Sequence, residues 1–298
     1  MKQVWWALII LASATLVFFG GCSYLVGSVS QGASGDLDSF TSEPFVGLVR
    51  IEGEIIDALP ITTQIDALKQ NAQFRGLLVR IDSPGGAVAA SQEIYSALEK
   101  LKKDKIPVVV SFGNVAASGG FYAAMPAEKI FTNAGTLTGS IGVIMQFPEI
   151  KDLMDKVGVQ MNTVKSGQYK DVGNPFRKVN GEELAYMNSV IQDVYGQFFQ
   201  AIKKYRPIST DSLKMVADGR VFSGARAVQL KLADSVATFA EAEAWIRKRS
   251  GVSADVELQE KLPPKPFLEQ LMSEEMSSSI KKVSSSIPHS GLFYKLGF

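Results

Sequence analysis

Ser118 stands among small residues in NVAASGG (Asn114 to Gly120), where a hydroxyl serves as a nucleophile if a base lies within hydrogen-bond reach. The chain's one histidine, His289, sits between Pro288 and Ser290 in a Ser-rich C-terminal stretch. A segment of that composition does not hold an imidazole firmly enough for a Ser/His/Asp triad. Lysine is the remaining base. The best placed is Lys170 in KSGQYKD (Lys165 to Asp171), 52 positions after Ser118, between an expected strand and a long helix. Together they point to hydrolysis by a Ser/Lys pair.

Each residue also has a plainer reading. Ser118 is expected where a buried strand (Val108 to Phe112) has ended and a helix begins. There, helix-end amides favour developing negative charge, and the small neighbours let a peptide approach. A helix N-cap in a tight turn would look the same. SPGG (Ser83 to Gly86) follows the apolar strand Leu77 to Ile81 and could aim amides of Gly85 or Gly86 into an oxyanion hole, or simply turn the chain. Lys170 must be neutral to accept a proton, so its pKa has to fall by about three. Its polar surroundings suit a solvated basic loop instead. Covering by another part of the molecule or by a partner subunit would resolve that conflict. Ser140 in TLTGSIGVI could orient the lysine amine, or be a strand-edge serine after a turn.

The elements that must position these residues alternate short β-rich runs with longer helical patterns, which implies βαβ units. Strands are expected at Phe45 to Gly53, Gly76 to Asp82, Ile106 to Phe112, Lys129 to Thr132, Ser140 to Ile144 and Gln160 to Val164, with a short one from Val221. Helices are expected at Thr62 to Ala72, Ala90 to Lys103, Ser118 to Met125, Ile150 to Val157, Glu182 to Tyr205, Gly224 to Leu230 and Ala240 to Lys248. In Glu182 to Tyr205, Leu184, Met187, Val190, Ile191, Val194, Phe198 and Ile202 recur at a spacing that keeps one face buried.

With 298 residues and 46% hydrophobic content, the chain can bury one full core. Its 31 basic and 30 acidic residues leave no electrostatic footprint for nucleic acid. The single cysteine, Cys22, excludes an intramolecular disulfide and a Cys-rich zinc site. No charge occurs between Gln3 and Gly35, and Val4 to Phe19 is apolar almost throughout, so residues 1–30 read as a membrane anchor. FGGC at Phe19 to Cys22 also admits a lipidated cysteine, and a cleaved signal peptide is the third reading. All three put the soluble domain outside the cytoplasm. Residues 31–44 form a flexible tether, 45–250 one domain, and the Pro- and Ser-rich residues 251–298 a flexible tail.

VRIDSPGG, NVAASGGFYAA, TLTGSIGVI, KSGQYKDVGNPFR and ADGRVFSGARAVQLKLAD, in that order, resemble the signal peptide peptidase A family, Ser/Lys proteases of the bacterial membrane surface. The likeness spans about Phe45 to Ile246 and has the short, single-domain form. It implies Ser118 as nucleophile, Lys170 and not Lys165 as general base, Ser140 as the hydroxyl orienting that base, and an oxyanion site from Gly85 or Gly86 with Gly119. It further implies a crotonase/Clp-like α/β fold of repeated ββα units and a ring-shaped homo-oligomer whose active sites are shared between subunits. The expected substrates are remnant signal peptides in the membrane, with no metal or cofactor. A stomatin-partnered membrane Ser/Lys protease, a crotonase-type acyl-CoA enzyme and a membrane-anchored scaffold without activity are the other readings.

Overall fold

The computed structural model describes residues 42–261 and the strand Phe293–Lys295. The expected anchor, Cys22, most of the tether, most of the tail and His289 lie outside the described residues. No helix among the described residues is long and apolar enough to cross a membrane.

In chain order the elements are β1 (Phe45–Glu52), α1 (Leu59–Gln70), β2 (Phe74–Ser83), β3 (Gly85–Ala87), α2 (Val88–Lys103), β4 (Val108–Ala117), α3 (Gly119–Ala123), β5 (Lys129–Thr132) and β6 (Leu137–Gly139). They continue with α4 (Lys151–Lys156), α5 (Gly181–Tyr205), α6 (Thr210–Val216), β7 (Val221–Ser223), α7 (Gly224–Gln229), β8 (Ser235–Val236), α8 (Phe239–Ser250) and β9 (Phe293–Lys295). The main sheet runs β1-β2-β4-β5-β8 with every neighbouring pair parallel. β6 lies parallel to the second half of β4, and β7 pairs with β6 antiparallel.

A parallel sheet covered on both faces needs strands that are apolar throughout. Leu77, Leu78, Val79 and Ile81 of β2 and Val109, Val110 and Phe112 of β4 are all fully buried. Alternation sends their side chains to two sides. Val46, Leu48, Leu78 and Val109 pack with Ala242 and Ile246 of α8. On the other side Gly47 lies under Leu68 of α1, where an added Cβ would come within 2.8 Å of Leu68 Cδ1. Past α8 the chain keeps to the sheet: Val252 is buried, Leu48 N–H donates to the Gln259 carbonyl (2.9 Å), and Gln259 N–H to that of Val46 (3.0 Å).

Three expectations differ from the structure. β4 does not stop at Phe112 but continues to Ala117, because Asp82 accepts from Val115 N–H (3.0 Å) and Asn114 Nδ2 (2.9 Å) and β6 supplies a new neighbour. The strand expected at Ser140 to Ile144 lies earlier, at Leu137–Gly139, because Gly139 and Ser140 both take positive φ (84° and 52°) and leave extended backbone. Gln160 to Val164 is exposed along its length and pairs with no strand among the described residues.

Candidate active site

β4 is where the sheet forks. Val109 to Ser111 pair with β5, whereas Val115 to Ala117 pair with β6. The fork opens a crevice at the carboxyl ends of parallel strands, the usual place for a site in such sheets. The register fixes its walls: Ser83 sits opposite Ala116 on one side, and Gly139 opposite Ala117 on the other. Ser118, next along β4, therefore lies between SPGG and the Gly139–Ser140 turn, and its N–H donates to the Gly139 carbonyl (2.8 Å).

Ser118 turns the chain from strand to helix at φ 51°, ψ −114°, backbone that costs a non-glycine residue about 1–3 kcal/mol. Its side chain is fully buried, and its Oγ has no hydrogen-bond partner among the described residues. It caps nothing. The N-cap alternative therefore loses its defining bond, and an orphaned hydroxyl at a strained strand-to-helix corner is a feature of nucleophilic serines.

Gly86 is a backbone-on-backbone contact: an added Cβ would sit 2.1 Å from the Ile55 carbonyl oxygen. Ile55 N–H donates to Gly85 O (2.9 Å) and Ala87 N–H to Ile55 O (2.7 Å), so β3 is held as a short extended ledge beside Ser118. Gly85 N–H donates to Ser83 Oγ (3.1 Å). Gly119 opens α3, so its N–H has no carbonyl within the helix. The outer edge of β3 is occupied by β9, antiparallel, with Gly86 opposite Tyr294.

Ser140 is nearly buried, and its N–H donates to the Arg220 carbonyl (2.9 Å). Arg220 in turn holds Asp218, whose carboxyl is drawn down to about 2 by that ion pair. Beside Ser140 opens a cleft of about 420 Å³ lined by Ile141, Val143, Ile144, Ile191, Tyr195 and Asp218. The structure thus gathers Ser118, Gly85, Gly86, Gly119 and Ser140 at one end of the sheet. Lys170 is not brought in within this single chain: it is exposed, in a turn where its N–H donates to Gly167 O (3.2 Å).

Several residues that shape the crevice were not singled out from the sequence. Thr138 Oγ1 donates to Ala116 O (2.6 Å) and Thr136 Oγ1 to Gly113 O (2.6 Å), stitching β6 onto β4. Asp82 braces the far strand. Its position directly after the apolar run of β2 was the available signal, since a carboxylate there needs nearby donors. Among the described residues no three His, Cys, Asp or Glu side chains cluster to hold a metal ion.

A mixed α/β fold around a parallel sheet, with a strained serine at the carboxyl end of a central strand, defines a serine peptidase of the Clp-like class. Residues 100–253 match Peptidase family S49, and residues 48–139 match the Clp protease family. A Synechocystis sp. chain provisionally named a protease is 43% identical over 70% of this chain and 76% of its own length. One from Enterococcus faecium, provisionally named signal peptide peptidase SppA, is 32% identical over 79% and 69%. The chloroplastic serine protease SPPA of Arabidopsis thaliana is 31% identical over 69% of this chain and 30% of its own. This chain belongs to peptidase family S49 and is a serine-type peptidase.

Proposed function

We propose that the chain is an endopeptidase with a Ser118/Lys170 dyad that degrades remnant signal peptides at the bacterial membrane. The observation that carries the nucleophile is the buried, unpartnered Ser118 hydroxyl beside the Gly86 ledge. In the first step neutral Lys170 takes the Ser118 proton as Oγ bonds to the scissile carbonyl carbon. The amides of Gly86 and Gly119 receive the oxyanion, since Gly85 N–H is already given to Ser83 Oγ. The ammonium returns the proton to the leaving amine as the C–N bond breaks, and water then releases the acyl group from Ser118 by the same route. Ser140 orients the lysine.

Lys170 acts on the serine of an adjoining copy in a ring-shaped homo-oligomer, which would desolvate the amine and lower its pKa. In support, the segment carrying Lys170 has an apolar surface left uncovered in one chain, including Leu153, Val157, Met161 and Val164. The finer architecture is the ββα superhelix of crotonase-like proteins. The N-terminal apolar segment anchors the domain on the extracytoplasmic side of the inner membrane, near substrates left in the bilayer. A fluorophosphonate probe tests the reading. Labelling should occur at Ser118, rise with pH as the lysine loses its proton, and vanish in Ser118→Ala. Lys170→Ala should lower peptide cleavage by at least a hundredfold, and wild-type turnover in either variant would discard the dyad.

A further inference from the structure

The loop that carries Lys170 contains one carboxylate that would spoil it. Asp171 is the next residue, and a carboxylate near an amine favours the ammonium form. The structure ties that carboxylate away. Arg177 Nε donates to Asp171 Oδ2 (2.7 Å), and its Nη2 donates to Asp171 Oδ1 (2.9 Å) and to the Asp171 carbonyl (3.0 Å). Lys165 Nζ donates to Oδ1 as well (2.6 Å). The same guanidinium reaches α5, with Nη1 on Glu183 Oε2 (2.8 Å) and Nη2 on Glu183 Oε1 (2.6 Å).

Glu183 is itself fixed, because it forms the capping box of α5 with Asn180 and its side chain is almost fully buried. Asp171 and Glu183 are both held below the usual carboxylate range, chiefly by Arg177. Three further charges around the loop are engaged elsewhere. Lys178 pairs with Asp152 of α4 (3.4 Å), Lys151 pairs with Asp155 of α4, and Glu182 of α5 accepts from Gln168 Nε2 (2.9 Å). Glu149 lies on the neighbouring segment, and Tyr169 stacks on Tyr186 of α5. Of the three lysines between 165 and 178, Lys170 alone has no ion pair among the described residues.

We infer that Arg177 is a positioning residue for the lysine base: with Lys165 it claims both oxygens of Asp171, keeping that carboxylate off Lys170, and through Glu183 it pins the loop to the start of α5. This rests on the reading of Lys170 as the base. Arg177→Gln leaves Lys165 on Asp171 Oδ1 but releases Oδ2, which Arg177 alone holds, to approach Lys170, which then stays protonated to higher pH. The acidic limb of the kcat/KM profile for peptide cleavage by the full chain should therefore move up by about one pH unit. Activity should be lost near neutrality and largely regained in alkali. Asp171→Asn in the Arg177→Gln background should bring the limb back. If circular dichroism shows Arg177→Gln unfolded, Arg177→Lys decides, since it keeps the charge without the fork and should move the limb the same way by less.

A fall by the same factor at every pH, or failure of Asp171→Asn to restore the limb, would overturn the inference while Lys170→Ala remains inactive. Full cleavage by Lys170→Ala would instead remove the base itself, and the inference with it.

Discussion

Ser118 carries two destabilising features at once, a backbone conformation suited to glycine and a buried hydroxyl without a partner. Each costs about 1–3 kcal/mol. Replacing the side chain should therefore stabilise the fold while ending catalysis. Ser118→Ala removes the orphaned hydroxyl, and Ser118→Gly removes the backbone strain as well, so thermal unfolding should rank glycine above alanine above wild type. A lower midpoint for glycine than for wild type would contradict this account of the corner. The serine and the paired glycines were placed at strand ends from their small-residue motifs, whereas Ser140 was expected to open a strand and instead follows one. The clamp of Arg177 on Asp171 and Glu183 was not legible in the sequence, because which carboxylates one guanidinium joins depends on how the loop folds back onto α5.

At the scale of elements, α5 is fastened to the body near its C-terminal end. Phe198 and Ile202 are fully buried there, and Lys204 Nζ (2.5 Å) and Tyr205 Oη (2.7 Å) both donate to Glu99 of α2. Lys103, Lys204 and Tyr205, in that order of effect, draw the Glu99 carboxyl down to about 2. A depressed carboxylate stabilises the fold above its unfolded pKa, and the contribution disappears as pH falls from about 4.5 through about 2. Glu99→Gln should thus lose about 1–2 kcal/mol at neutral pH, a figure kept low for solvent screening. In denaturant titrations the gap from wild type should close by pH 2, and a gap independent of pH would refute the role.

Apart from α6 (Thr210–Val216), which was not expected, the helices were read to within a few residues because their apolar periodicity is local. The second half of β4 was missed because Gly113 and Asn114 look like a turn. Asp82, thirty-odd residues earlier, and β6, some twenty later, make them strand. The apolar stripe of α5 was placed correctly in sequence but misjudged in its burial, since Leu184 is 57% exposed and the stripe meets a core only at its far end.

Over the whole molecule, the buried sheet contrasts with the stretch from 142 to 182, in which no residue is buried. Phe147, Leu153, Val157, Met161, Val164 and Tyr169 all face outward there, Val164 completely. An apolar surface of that kind ordinarily belongs to an interface. Introducing charge should break it: Val164→Glu with Leu153→Glu is expected to shift the protein to smaller species in analytical ultracentrifugation while circular dichroism stays unchanged. Unaltered sedimentation would argue that this surface covers nothing.

The uncovered stretch also ties chemistry to abundance. If the amine that deprotonates Ser118 arrives from a neighbour, a solitary chain holds only half of the machinery. Turnover per molecule should then rise with protein concentration and collapse on dilution, so that a few newly made copies in a cell would stay harmless until enough had gathered to complete one another.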